Sequence, residues 1–272
     1  MHTSLRLRSA GLVVTACATL VAATACTEPA ASAATGTTFD GPTVSVGNGT
    51  ARSYVTTAAD GTPAATGIRM TATALDGLTH AADVPMQVFD LALPQDAPAT
   101  VFDHLTVDWN PHGHEPAGVF TKPHFDMHFY MIDAAAVGEI TPMRIDFVPR
   151  ASNLPPAQYM PTGYAAPPGL PAMNTVPDMG LHWIDAAAGV GAPGYDFQQV
   201  LVAGSWDGAH TFLEPMMTHE WMLTKQSVDE AVAQPEKWAK SGYYPTTYTV
   251  RFDDSTSEYV IELGGMTLRE AS

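Results

Sequence analysis

Apolar and polar residues alternate along most of this chain in short runs. Thr43 to Val46, Ala51 to Thr57, Thr66 to Leu75, Val84 to Leu93 and Phe102 to Trp109 are rich in Val, Thr, Phe and Tyr and end at Gly, Pro, Asn or Asp. Such runs read as strands. In FDHLTVDW (102–109) a period of two places Leu105, Val107 and Trp109 on one face. Two hairpins stand out. Val200 to Trp206 and Ala209 to Glu214 flank Asp207-Gly208, and Asp60-Gly61 divides two earlier runs; both residue types tolerate the positive φ that a two-residue turn needs. At the C-terminus, Tyr248, Val250 and Phe252 alternate with polar residues, as do Tyr259, Ile261 and Leu263.

Helical periodicity is nearly absent. Asp133 to Gly138 predicts a turn of helix, Thr218 predicts a cap for a helix through Leu223, and Ser227 with Glu230 predicts a capping box opening VDEAVAQ. Asn153 to Pro177 holds seven prolines and reads as a long irregular excursion, packed on the body through Tyr159, Met160, Tyr164 and Met173. The expected class is all-β: an antiparallel β-sandwich or barrel with a long Pro-rich loop and a few short helices.

The first residues change the picture of where this domain works. Arg6 and Arg8 precede an apolar, small-residue run to Ala25 and then Cys26. That is the layout of a signal peptide over 1–25, of the lipoprotein type, in which Cys26 carries the lipid. Residues 26–38 read as a flexible tether and 39–272 as a single β-rich domain; ordinary cleavage near Ser32-Ala33-Ala34 is the alternative. The expected location is extracytoplasmic, membrane-anchored through lipidated Cys26 or secreted. Both cysteines lie in the leader, so the domain has no disulfide. Twelve Lys and Arg against 28 Asp and Glu give a net charge of −16. An excess of that sign disfavours nucleic acid, which needs a basic footprint.

The chemistry concentrates in HGHEPAGVFTKPHFDMHFY, residues 112–130, where four of ten histidines sit with Glu115 and Asp126. His124 and His128 are four apart, the spacing of helical zinc motifs. Strict alternation favours a strand, with His124, Asp126, His128 and Tyr130 on one face and Phe125, Met127, Phe129 and Met131 on the other. Residues four apart on a strand lie roughly 13 Å apart, so one ion takes at most one of the two histidines. His112 and His114 form another i, i+2 pair. Candidate metal ligands are His114, His124, His128, His182 in DMGLHWID and Glu214 in FLEPM, with Glu115 and Asp126 as candidate general bases or extra ligands. This donor set fits a divalent transition metal, zinc, iron or manganese. The plainer alternative is a hydrogen-bonded network of imidazoles and carboxylates. His104 and His210 read as strand-surface histidines, His219 as the first turn of a helix and His80 as loop. No Gly-rich phosphate loop, G-x-S-x-G or domain cysteine supports other catalysis.

The phrases DGTPAATGIRMTATALDGL, DWNPHGHEP, KPHFDMHFY, DMGLHWID and VAGSWDGAHTFLEPMMT resemble the TTHB-like family of exported bacterial proteins of unknown function, whose namesake is under extracytoplasmic stress (sigma-E) control. The resemblance implies a β-rich, oligomeric domain and no assigned reaction. Its phrases cover His114, Glu115, His124, Asp126, His128, His182 and Glu214. His112 falls at a variable place in the GHEP phrase, and Phe120-Thr121-Lys122 departs from the Tyr-Asp that relatives carry ahead of Pro-His. Two expectations result: an extracytoplasmic metalloenzyme of unknown substrate, and a non-enzymatic envelope binding or structural protein whose histidine cluster stabilises fold or oligomer.

Overall fold

The computed structural model describes residues 36–272. The leader 1–25, Cys26 and the tether as far as residue 35 lie outside them. Two open antiparallel sheets face each other as a sandwich. The first runs Thr38–Asp40, Gly49–Thr57, Pro63–Thr71, Glu258–Gly264, Thr247–Asp253, Val228–Ala231, with Val44–Val46 paired to Gly49–Thr57. The second runs Gln87–Ala92, His104–Asn110, His124–Tyr130, Ala209–Thr218, Gln199–Trp206, Gly180–Asp185, Tyr164–Ala165, with Thr175–Val176 paired to Gly180–Asp185. Neither order closes on itself, so the sandwich and not the barrel is the outcome.

Alternation builds the interior. Ile68, Met70, Tyr248, Ile261 and Leu263 of the first sheet share one apolar cluster with Leu105, Val107, Trp109, Phe125, Met127 and Phe129 of the second. The main hairpin turns as its composition requires, with Asp207 and Gly208 both left-handed at φ 47° and 81°. Its second strand runs on to Thr218, whose hydroxyl accepts from the Trp221 amide at 3.1 Å and starts the helix His219–Leu223. Asp133 caps Ala134–Gly138 in the same way, accepting from Ala136 at 2.7 Å.

Two local expectations need correction. VDEAVAQ is not a helix: Val228–Ala231 pairs with Thr247–Asp253, so a free strand edge outweighs a local capping signal. The Pro-rich excursion is broken into a 3₁₀ turn at Ala157–Tyr159, the short strand Tyr164–Ala165 and a helical turn at Pro171–Asn174. Met160 and Tyr164 pack on the core as expected, whereas Met173 is exposed.

The strand His124–Tyr130 is buried at all seven positions. Its polar face is therefore not a solvent face. Two small apolar clusters cover the outer side of this sheet: Phe120, Phe197, Val200, Val202 and Met216 at one end, and Tyr130, Val137, Met179 and Phe212 at the other.

Candidate metal centre

Strand register brings the polar residues together. Asp108 lies opposite Asp126, Thr106 opposite His128 and Asn110 opposite His124. On the other side of the same strand, Phe212 faces Tyr130 and Met216 faces Asp126, and that register sets Glu214 opposite His128. His182 arrives from two strands further, where it faces Gly204. Gly204 is required there: a Cβ would sit 1.9 Å from the Phe212 ring. With the ring laid across the glycine, His128 and His182 both stand edge-on to it, at 4.8 and 5.1 Å. His114 comes from the loop between the strands His104–Asn110 and His124–Tyr130. Gly113, at φ +67°, packs so tightly on Phe120 and Thr121 that a Cβ would lie 2.1 Å from the Phe120 carbonyl oxygen, and His114 bridges back to Phe120.

The first group is His114, His124 and Asp126. His114 Nδ1 lies 2.7 Å from the Glu115 carbonyl oxygen and His124 Nδ1 lies 2.6 Å from that of Lys122. Carbonyls only accept, so each Nδ1 carries the hydrogen and donates it. In neutral rings each Nε2 then presents a lone pair, and both point at one carboxylate: His114 Nε2 is 3.1 Å from Asp126 Oδ2 and His124 Nε2 is 3.0 Å from Asp126 Oδ1. Acceptors facing acceptors at these distances need a cation between them, a proton or a metal ion. His124 Nε2 and Asp126 Oδ1 are buried and have no aligned hydrogen bond, while Asn110 Nδ2 donates to Asp126 Oδ2 at 2.8 Å and steadies it. A backbone carbonyl on the far nitrogen is the usual support of a metal-bound imidazole.

The second group is His128, His182 and Glu214. His128 Nε2 lies 3.6 Å from Glu214 Oε1, and His182 Nε2 lies 3.2 Å from Glu214 Oε2. On its other side His128 Nδ1 is 2.9 Å from Asp108 Oδ2. In each group, one ligand atom per residue can be chosen so that all lie within 4.8 Å of one another.

Charge makes both groups unusual. Asp108, Asp126 and Glu214 are each 1–2% exposed, and among the described residues their only ion-pair partners are histidines. Burial opposes a charged His114 and a charged His128, but the carboxylates beside them outweigh it, and each is pushed up to about 9. Burial also opposes charge on Asp126; His124 and His114 outweigh it and hold that carboxyl well below the usual range. Asp108 goes the other way, raised by burial despite His128. Above the groups lies a cavity of about 790 Å³. His114, Asp126 and His182 reach its floor, and Pro167, Met173 and Val176 of the Pro-rich excursion form part of its wall.

The five expected metal ligands thus divide between two places, His114 and His124 in one and His128, His182 and Glu214 in the other. Asp126, expected as a base or ligand, sits as the shared partner of the first pair. Glu115 lines the cavity but its side chain is exposed, and only its carbonyl serves His114. His112 stays outside both groups, 3.0 Å from the Ala81 carbonyl oxygen. Asp108 and Asn110 were missed; the alternation that put Leu105, Val107 and Trp109 on the core face already placed them on the opposite one. His104 stacks on Tyr130 at 4.8 Å, and His210 is half-buried against the Phe212 carbonyl, so neither is a plain surface residue. Lys122 pairs with Asp196.

Residues 59–109 match the model of the TTHB210-like family, described as hypothetical protein TTHB210. The match agrees with the resemblance drawn from the sequence phrases and carries no assigned reaction. It includes Asp108 but ends before every histidine of the two groups. No curated protein and no solved structure matches the chain.

Proposed function

We propose that this chain is an extracytoplasmic metal-dependent enzyme, in which His114, His124 and Asp126 hold a divalent zinc, iron or manganese ion at the floor of the cavity. The observation that carries the reading is the pair of imidazole Nε2 atoms whose tautomers are set by backbone carbonyls and whose lone pairs meet on one buried carboxylate. Two imidazoles and a carboxylate with one side toward a cavity is the donor set of catalytic metal sites that keep a position for water or substrate. When bound, such an ion supplies Lewis-acid chemistry or a hydroxide formed near neutral pH. The chain's own residues do the rest. Asn110 holds the carboxylate, and Phe120 and Phe197 exclude water behind His124, whose ring is 5.2 Å from that of Phe197. Glu115 lines the cavity with an exposed side chain, and in this reading it would serve as the general base.

The test is metal content. The purified chain, loaded with each metal in turn and dialysed, is expected to retain tightly bound ion by elemental analysis, and His114→Ala or Asp126→Asn is expected to remove the ion held here. His114 has a side chain 38% exposed, so its loss leaves the fold intact. Retention unchanged by both substitutions would sink the reading and leave the histidines as a stabilising network. The reading also places the protein outside the cell, anchored through Cys26; radiolabelled palmitate should mark the wild-type chain and not Cys26→Ser.

A further inference from the structure

The second group has a chemistry that one ion at Asp126 does not use. Two of its ligand atoms, His128 Nε2 and Glu214 Oε2, are buried without a hydrogen bond. Leaving one such group unpaired in a protein interior costs on the order of 1–3 kcal/mol, so the two together call for an occupant. We propose that His128, His182 and Glu214 form a second metal centre, so that the chain carries two ions beneath one cavity. The inference goes beyond the proposed function and does not depend on it, because the two groups share no ligand residue.

The separations fit an ion. Donors bound to a tetrahedral metal at about 2.0–2.2 Å lie roughly 3.3–3.6 Å from one another. Glu214 meets His182 at 3.2 Å and His128 at 3.6 Å, the second too long for a hydrogen bond. Asp108, 2.9 Å from the far nitrogen of His128, is the carboxylate that would take the Nδ1 hydrogen and leave Nε2 free to coordinate. The surroundings are fixed by packing. Tyr130 stacks on His128 with ring centroids 5.1 Å apart and planes 7° apart, and Phe212 stands edge-on to both His128 and His182, whose own rings lie 6.1 Å apart. Polar access comes through His182, which is 21% exposed and lines the cavity. Asp126 and Glu214 are diagonal neighbours across one strand pair, a spacing of roughly 7–8 Å between the residues, so the two groups lie side by side on one face. A water or substrate oxygen in the cavity would complete either ion.

Zn²⁺ is the probe, applied to the purified full chain and to His182→Ala, Glu214→Gln and His114→Ala, with retained zinc measured after dialysis and folding checked by circular dichroism. Two zinc ions per wild-type chain, falling to one in His182→Ala and to one in His114→Ala, is the expected result. One ion per wild-type chain, lost in His114→Ala and kept in His182→Ala, overturns the second centre and leaves the proposed function standing. One ion lost in His182→Ala and kept in His114→Ala does the reverse. No retained zinc overturns both. Should Glu214→Gln fail to fold, His182→Ala still decides the matter, since His182 is the most exposed ligand of its group.

Discussion

The outer faces of the two sheets solve the same problem with different cations. On the first sheet Glu258 accepts from Arg52 at 2.5 and 3.3 Å and from Arg69 at 3.4 Å, and Glu262 accepts from the Tyr54 hydroxyl at 2.6 Å. On the second, the only ion-pair partners of Asp108, Asp126 and Glu214 among the described residues are imidazoles. Even the scaffolding is alike: the Tyr54 ring lies over Gly67 as the Phe212 ring lies over Gly204. An arginine is always charged and brings five hydrogens in a fixed fork, so a carboxylate paired with it is finished. An imidazole can be neutral, and then its lone pair and the carboxylate both wait for the same cation. The first face is closed by its own ion pairs; the second carries groups that could hold a metal ion.

Metal removal gives the largest expected difference between the faces. Free metal at about a thousand times its dissociation constant stabilises a protein by about 4 kcal/mol. Thermal unfolding followed with saturating zinc and again with chelator should show a stabilisation of that order in the wild type and little in His114→Ala,His182→Ala. Glu258→Gln should behave oppositely. It removes the carboxylate that Arg52 and Arg69 share and leaves Arg52 only its pair with Asp40, at a cost of about 1 kcal/mol, and that deficit should be the same with metal or with chelator. A Glu258→Gln deficit that vanished in chelator, or a double histidine variant as metal-stabilised as the wild type, would erase the distinction.

Much of this arrangement was readable from the chain, and the gaps have physical reasons. The strand HFDMHFY and its two faces followed from alternation, and so did the limit that one ion takes at most one of His124 and His128. What alternation cannot supply is register between distant segments. His182 and Glu214 were recognisable as ligand types, but their meeting at 3.2 Å depends on pairing across Gly204, a residue whose part is visible only once Phe212 lies over it. Asp108 stands apart from the histidine-rich run in sequence and meets His128 only through strand pairing, although the face it shares follows from alternation. Adjacency in sequence did not show how Glu115 meets its neighbour: its carbonyl is what reaches the His114 ring.

The smaller test separates the faces by pH, and the signs oppose. Glu258 is held below its ordinary value, because Arg52 outweighs the burial that would raise it. Its contribution is therefore full above the unfolded pKa of 4.5 and fades as pH falls through the folded one. His114 and His128 are raised from 6.5 to about 9, so in the metal-free protein their contribution is full below 6.5 and fades as pH rises through 9. Those same protons must leave before a metal binds. Apparent zinc affinity at each centre should then rise about tenfold per pH unit, or about 1.4 kcal/mol, between pH 7 and 9, and flatten above it. Competition against a chelating dye of known affinity measures that slope directly. A flat profile from 7 to 9 would mean that neither imidazole holds a proton the metal displaces, and the second face would then be as finished as the first.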